Sequence, residues 1–247
     1  MKKYIWILSI YCFSLMPGCN SNKQEYEAAG NQHAKTFQRE ITTVITGKYL
    51  LFLPKDYYQD QKDRPMILFL HGSEIGDNDP DMLRKKGPPR VADEWDDFLF
   101  ILVSPLNSLN YPFTSDLLDL ILDDVLSKYR VDENRIYVTG VDWGGLTTWK
   151  LAVDYPNRFA AIAPGACPGM PDKADQIKHV PVWVFHGTDD SLIPISRPER
   201  MVKTLEKHGC DVKYTFFQDE GHDITDKMYQ DLSLYEWFLS HSLKKNE

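Results

Sequence analysis

Six short apolar runs, each closed by a turn-forming cluster, constrain this chain more than any other feature. They occupy residues 65–70, 98–103, 136–139, 159–163, 181–185 and 212–217, and most are rich in β-branched and aromatic residues. The run at 65–70 is apolar throughout, the mark of a strand covered on both faces. Between the runs lie stretches with helical spacing. Leu117, Leu118, Ile121, Leu122, Val125 and Leu126 form one stripe of a helix that Ser115 can cap and that stops near Tyr129. Further helices are predicted over 146–153, 196–207 and 226–240. Strands alternating with helices at this spacing predict an α/β fold in one domain, with a mostly parallel, doubly wound sheet and right-handed crossovers. Residues 41–53 alternate about Gly47 and end at Pro54, which predicts an antiparallel entry hairpin or a long edge strand. Residues 74–90 read as a polar loop.

The 247 residues, 43% hydrophobic and 26% charged, suit one α/β domain better than two. Net charge is -8, and the only compact basic cluster is Arg84, Lys85 and Lys86, which argues against a nucleic-acid partner. At the N-terminus, Lys2 and Lys3 precede an apolar run over 4–16 that is too short to span a bilayer and reads as an export signal. Pro17-Gly18-Cys19 resembles the end of a lipoprotein signal, which would leave Cys19 lipidated and the protein periplasmic or anchored at the outer membrane. Ordinary cleavage and a retained anchor remain open. The expected organisation is therefore a signal over 1–18, a tether over 19–40 and the folded domain over 41–247. Cys167 should follow one core strand and Cys210 precede another, at opposite ends of a parallel sheet and too far apart to bridge.

The run at 136–139 leads into Gly140, Asp142, Trp143, Gly144 and Gly145, then a helix. Gly-x-Asp-x-Gly is the nucleophile elbow Gly-x-Ser-x-Gly with an acid in place of the serine. An aspartate at a helix start can equally serve as its cap. Two other predicted strands end in useful chemistry: Asp190 follows the 181–185 run, and His222 follows the 212–217 run. Functional loops gather at the carboxyl ends of parallel strands, and the order elbow, acid, histidine is that of α/β-hydrolases.

Residues 128–140 (KYRVDENRIYVTG), 155–164 (YPNRFAAIAP) and 181–187 (PVWVFHG) closely resemble secreted bacterial esterases of the α/β-hydrolase superfamily. The nearest branch is the prolyl-oligopeptidase-like one, with feruloyl esterase, polyhydroxybutyrate depolymerase and dienelactone hydrolase relatives. The resemblance implies hydrolysis of a carboxylic ester, small or attached to a polysaccharide, without cofactor or metal. It makes Asp190 the triad acid, His222 the base and residues 70–73 the oxyanion loop. The backbone amides of Trp143 and of Ser73 or Glu74 are then the oxyanion donors. That family has Ser where this chain has Asp142.

Asp-Trp-Gly-Gly is also similar to the elbow of haloalkane dehalogenases and epoxide hydrolases, in which aspartate is the nucleophile. Carboxylate attack on an acyl carbon gives a high-energy anhydride, whereas attack on a saturated carbon gives an ordinary ester that water activated by His222 can hydrolyse. Those enzymes carry a large cap after the strand following the elbow. Here that place holds only residues 164–179, so Tyr111, Trp95 or Tyr229 would have to supply the ligand contacts. A third reading is a non-catalytic binder in which His222 is held between two carboxylates.

Overall fold

The computed structural model describes residues 46–73, 79–106 and 113–243, all within a compact unit that begins at Val44. The predicted export signal, Cys19, the whole of the tether, Glu74 and Tyr111 lie outside the described residues.

Among the described residues, seven strands form one sheet. In chain order the elements are β1 (Lys48–Phe52), β2 (Arg64–Leu70), α1 (Pro80–Arg84), α2 (Gly87–Glu94), β3 (Ile101–Leu106), α3 (Ser115–Lys128), β4 (Val131–Val141) and α4 (Trp143–Asp154). There follow β5 (Ala161–Gly165), a 3-10 helix (Pro171–Ile177), β6 (Val182–Gly187), α5 (Ser196–Lys207), β7 (Val212–Phe217), α6 (Thr225–Tyr229) and α7 (Leu232–Leu239). The sheet order is β1-β3-β2-β4-β5-β6-β7. Only β1 runs antiparallel, against β3.

Both faces are covered, as the apolar runs require. Met66, Leu68 and Leu70 of β2 face one core, with Leu118, Ile121 and Leu122 of α3 and Met201 and Leu205 of α5. Ile67 and Phe69 face the other, with Leu83 of α1, Val91 of α2, Met228 of α6 and Phe238 of α7. The order in which the chain adds strands to the sheet reverses between β2 and β4. This is the topological switch point, where a doubly wound sheet opens a crevice at its carboxyl edge.

Several local expectations change. Residues 74–90 are not a loop throughout: Asp79 caps α1 through the amide of Asp81 at 2.9 Å, and α1 and α2 follow, each with proline in its first turn. Their prolines, glycine and charges hide the helical period. The predicted helix over 226–240 is two helices, because Asp231 interrupts it and caps α7 through the amide of Ser233 at 2.9 Å. Thr114, not Ser115, caps α3, while the Ser115 hydroxyl donates to Asp154 at 2.5 Å. Cys167 lies just beyond β5, Cys210 just before β7, and both are free thiols.

Candidate active site

Two pairs of strand ends build the site. Leu70 of β2 lies in register with Gly140 of β4, so Ser73 and Asp142, a few residues further on, leave the sheet side by side at the switch point. Gly187 of β6 lies in register with Phe217 of β7, which sets the loops carrying Asp190 and His222 next to each other.

The elbow turns sharply. Asp142 has φ 56° and ψ -121°, outside the regions comfortable for a residue with a side chain, at a cost of roughly 1–3 kcal/mol. Close approach makes the turn possible: a Cβ on Gly144 would lie 1.8 Å from the carbonyl oxygen of Leu70. The turn lifts the Asp142 side chain off the start of α4, and its carboxylate makes no cap to that helix. Instead Oδ2 accepts from the Ser73 amide at 3.0 Å and from the Ser73 hydroxyl at 2.6 Å. Oδ1 lies 3.4 Å from Nε2 of His222. The capping alternative is thus not what the side chain does.

On the other side, Asp190 is a saturated, buried carboxylate. Its Oδ1 accepts from the amides of Leu192 and Ile193, both at 2.8 Å, and its Oδ2 accepts from Nδ1 of His222 at 2.7 Å. Burial alone would raise its pKa, but the Ile193 amide, His222 and the Leu192 amide outweigh it and hold the carboxyl below its usual range. Asp189, its neighbour, is exposed, with its amide bound to the Glu220 carbonyl at 2.8 Å. For His222, burial would lower the pKa; the hydrogen bond and charge of Asp190 and the charge of Asp142 together raise it above the ordinary imidazole value. A Cβ on Gly187 would meet the carbonyl of Gly221 at 2.2 Å, so a glycine there lets the histidine loop close over the acid loop.

Asp142, Asp190 and His222 therefore converge. Of the two amides named as oxyanion donors, that of Ser73 is bound to Asp142, and that of Trp143 is the first in α4. The Ser73 hydroxyl, which the sequence does not single out, is also in the cluster. So is His186, whose Nε2 lies 2.8 Å from the Ile193 carbonyl and 3.2 Å from Asp190 Oδ2. Burial pushes the His186 pKa below the ordinary imidazole value, against the Ile193 carbonyl and Asp190, which raise it, and the ring braces the acid from beneath. Its signal in the sequence is the His-Gly pair that closes β6, four residues before Asp190. His71 is buried against Phe113, with ring centres 5.3 Å apart, and supports its own loop. Tyr229 is a buried core residue whose hydroxyl bonds Thr139 at 2.9 Å, and Trp95 is half-buried and packs on Tyr235 with ring centres 5.2 Å apart. Among the described residues, no group of three or more His, Cys, Asp and Glu is arranged to hold a metal ion.

Comparison with known proteins agrees with the fold. A bifunctional acetylxylan esterase/xylanase of Neocallimastix patriciarum is 25% identical over 144 residues, covering 56% of this chain and 21% of that protein. A protein of Aspergillus terreus named "probable feruloyl esterase C" is 23% identical over 194 residues, 74% of this chain and 70% of its own length. The chain spans half or less of the length of the first curated relatives it matches. Among solved structures, a thermostable esterase superposes with a TM-score of 0.65 at 29% identity, covering 78% of this chain and 59% of that one. The model of the dienelactone hydrolase family matches residues 79–233. That match covers more than half of the sequence and includes the elbow, Asp190 and His222, and the chain belongs to the dienelactone hydrolase family.

Proposed function

We propose that the protein hydrolyses a carboxylic ester, with His222 moving the protons and Asp190 orienting it. The observation that carries this reading is the His222–Asp190 hydrogen bond of 2.7 Å, with the other ring nitrogen turned toward the elbow. An imidazole held by one nitrogen and presented by the other is the arrangement that general acid–base catalysis needs. An acyl group on a carbohydrate is the substrate class, supported by the names of the acetylxylan and feruloyl esterase relatives. Trp143 and Leu192, 48% and 71% exposed, stand next to the elbow and the acid in the chain and offer apolar surface for an aryl or acyl group. An exported protein is consistent with such a substrate, and the basic and apolar pattern of residues 2–16 supports export. Asp142 is not the acyl acceptor, because an acyl carboxylate is an anhydride that reverts more readily than it turns over.

The test is hydrolysis of 4-nitrophenyl acetate, methyl ferulate and acetylated xylo-oligosaccharides by the wild-type chain and by His222→Ala. Turnover that depends on His222 is expected; absence of turnover on all three would overturn the reading.

One observation favours a second reading, displacement by Asp142 at a saturated carbon. Its Oδ2 is fixed by Ser73 while Oδ1 faces His222, so an ester formed on Oδ1 would have donors on its carbonyl oxygen. Haloalkane or epoxide turnover in oxygen-18 water, with the label entering the Asp142 carboxylate, would establish it. No turnover and no label would remove it.

A further inference from the structure

The elbow lacks a hydroxyl, yet a hydroxyl lies within hydrogen-bond reach of its carboxylate. Ser73 Oγ is 2.6 Å from Asp142 Oδ2, and Asp142 Oδ1 is 3.4 Å from His222, which Asp190 holds at 2.7 Å. The four side chains form one chain of contacts that begins at an exposed serine and ends at a buried acid. We propose that Ser73 Oγ is the nucleophile of the ester hydrolysis proposed above, with Asp142 as its immediate proton acceptor.

Three features of the cluster support this assignment. First, the hydroxyl has an acceptor at short range, and that acceptor is a carboxylate rather than a carbonyl, so the contact is a charge-assisted one that can take a proton as the oxygen attacks. Second, the Ser73 amide binds the same oxygen at 3.0 Å, which fixes loop and carboxylate to each other. Third, the strained elbow holds the carboxylate off its own helix, where it can serve the neighbouring loop. An aspartate at the elbow is then a base, not a failed nucleophile, and the nucleophile has moved across the switch point from the end of β4 to the end of β2.

The step balances without any further reagent. Ser73 Oγ forms a bond to the acyl carbon as its proton passes to Asp142 Oδ2. The tetrahedral intermediate collapses, the acyl carbon–alkoxy bond breaks, and the proton held by the Asp142–His222 pair goes to the departing alcohol oxygen. Water then attacks the acyl carbon and gives one proton to the same pair; the acyl carbon–Oγ bond breaks, and that proton passes to the departing Ser73 oxygen. The sum is ester plus water to acid plus alcohol.

The inference rests on the ester-hydrolase reading, and one set of measurements separates the two. Wild-type chain is treated with an alkyl fluorophosphonate, which marks activated serines, and is also acid-quenched during turnover of 4-nitrophenyl acetate; the modified peptide is identified by mass. Adducts on Ser73 are expected in both cases, together with a loss of hydrolysis on the order of 10³-fold in Ser73→Ala at unchanged melting temperature. Hydrolysis that survives Ser73→Ala within about threefold, or that proceeds with neither adduct on Ser73, overturns the serine assignment and leaves the ester-hydrolase reading standing. No hydrolysis by the wild-type chain overturns both. The double variant Ser73→Ala with Asp142→Ser supplies the second check: restored hydrolysis with the adduct now at position 142 shows that the loop tolerates the alanine, so the loss in Ser73→Ala reports the missing hydroxyl.

Discussion

The two halves of the site are built differently. The half formed by β6 and β7 is buried and saturated: Asp190 has a donor for each oxygen, a second histidine beneath it, and a place 5% exposed. The half formed by β2 and β4 is open. Asp142 and Ser73 bond to each other at the protein surface, and the contact from Asp142 to His222 is the longest in the cluster at 3.4 Å. The buried half fixes the position of His222, and there the loss of a donor leaves unsatisfied polar groups behind. The open half faces solvent, and its residues can change while the frame stays intact. A serine-to-carboxylate change is tolerable at the elbow because solvent and Ser73 receive the charge, whereas the same change beneath His222 would bury it without partners.

Substitutions should expose this asymmetry. The largest effect is expected from Asp190→Ala, which strands the Leu192 and Ile193 amides and His186 in the interior. We expect a loss of about 2–4 kcal/mol in urea unfolding, together with a fall in ester turnover on the order of 10⁴-fold. Asp142→Ala should cost less than about 1 kcal/mol in the same experiment, since its partners are solvated or long-range. Equal losses in the two variants would erase the distinction between the halves. Next is His222→Ala, expected to lower kcat/KM for 4-nitrophenyl acetate by about 10³-fold, with a smaller loss of unfolding free energy than Asp190→Ala, since Asp190 keeps its two amide donors.

Smaller effects concern pH. With the His222 pKa raised above 6.5, the neutral imidazole forms only above that value, so kcat/KM should rise with pH along a limb displaced to the alkaline side of an ordinary histidine. Asp142→Asn removes one of the two carboxylates that raise it, and the limb should move toward lower pH. A limb that does not move would show that the 3.4 Å contact carries no electrostatic coupling. The smallest effect is on stability. A raised histidine pKa contributes stability that is fully present below 6.5 and is lost as pH rises through the folded value. A lowered carboxyl pKa contributes stability that is present above 3.8 and is lost as pH falls through the folded value. The Asp190–His222 pair should therefore stabilise most between about 4 and 6.5, so the difference in unfolding free energy between wild type and His222→Ala, measured against pH, should peak there.

Much of the frame was legible because strands covered on both faces leave an unbroken apolar signature. The limits of α5 and β7 agree with the spacing of residues 196–207 and 212–217. Residues 80–94 were not legible, since α1 and α2 are short, carry proline in their first turns, and α2 covers itself largely with Gly87, Pro88 and Pro89, which give no helical period. The break at Asp231 was hidden for a related reason: the apolar period continues across it, and only the cap shows that the helix restarts.

By itself the sequence determined the sheet class, the strand ends that carry Asp142, Asp190 and His222, and the presence of an acid where an elbow usually holds a hydroxyl. These are matters of period and order along the chain. Which groups bond to one another was decided only by tertiary structure. The register of Leu70 with Gly140 sets Ser73 against Asp142, and that of Gly187 with Phe217 sets His222 against Asp190 with His186 beneath. Residues 69 positions apart carry no local signal of their contact, because the hydrogen bond between Ser73 and Asp142 exists only once two neighbouring strands end at the same height.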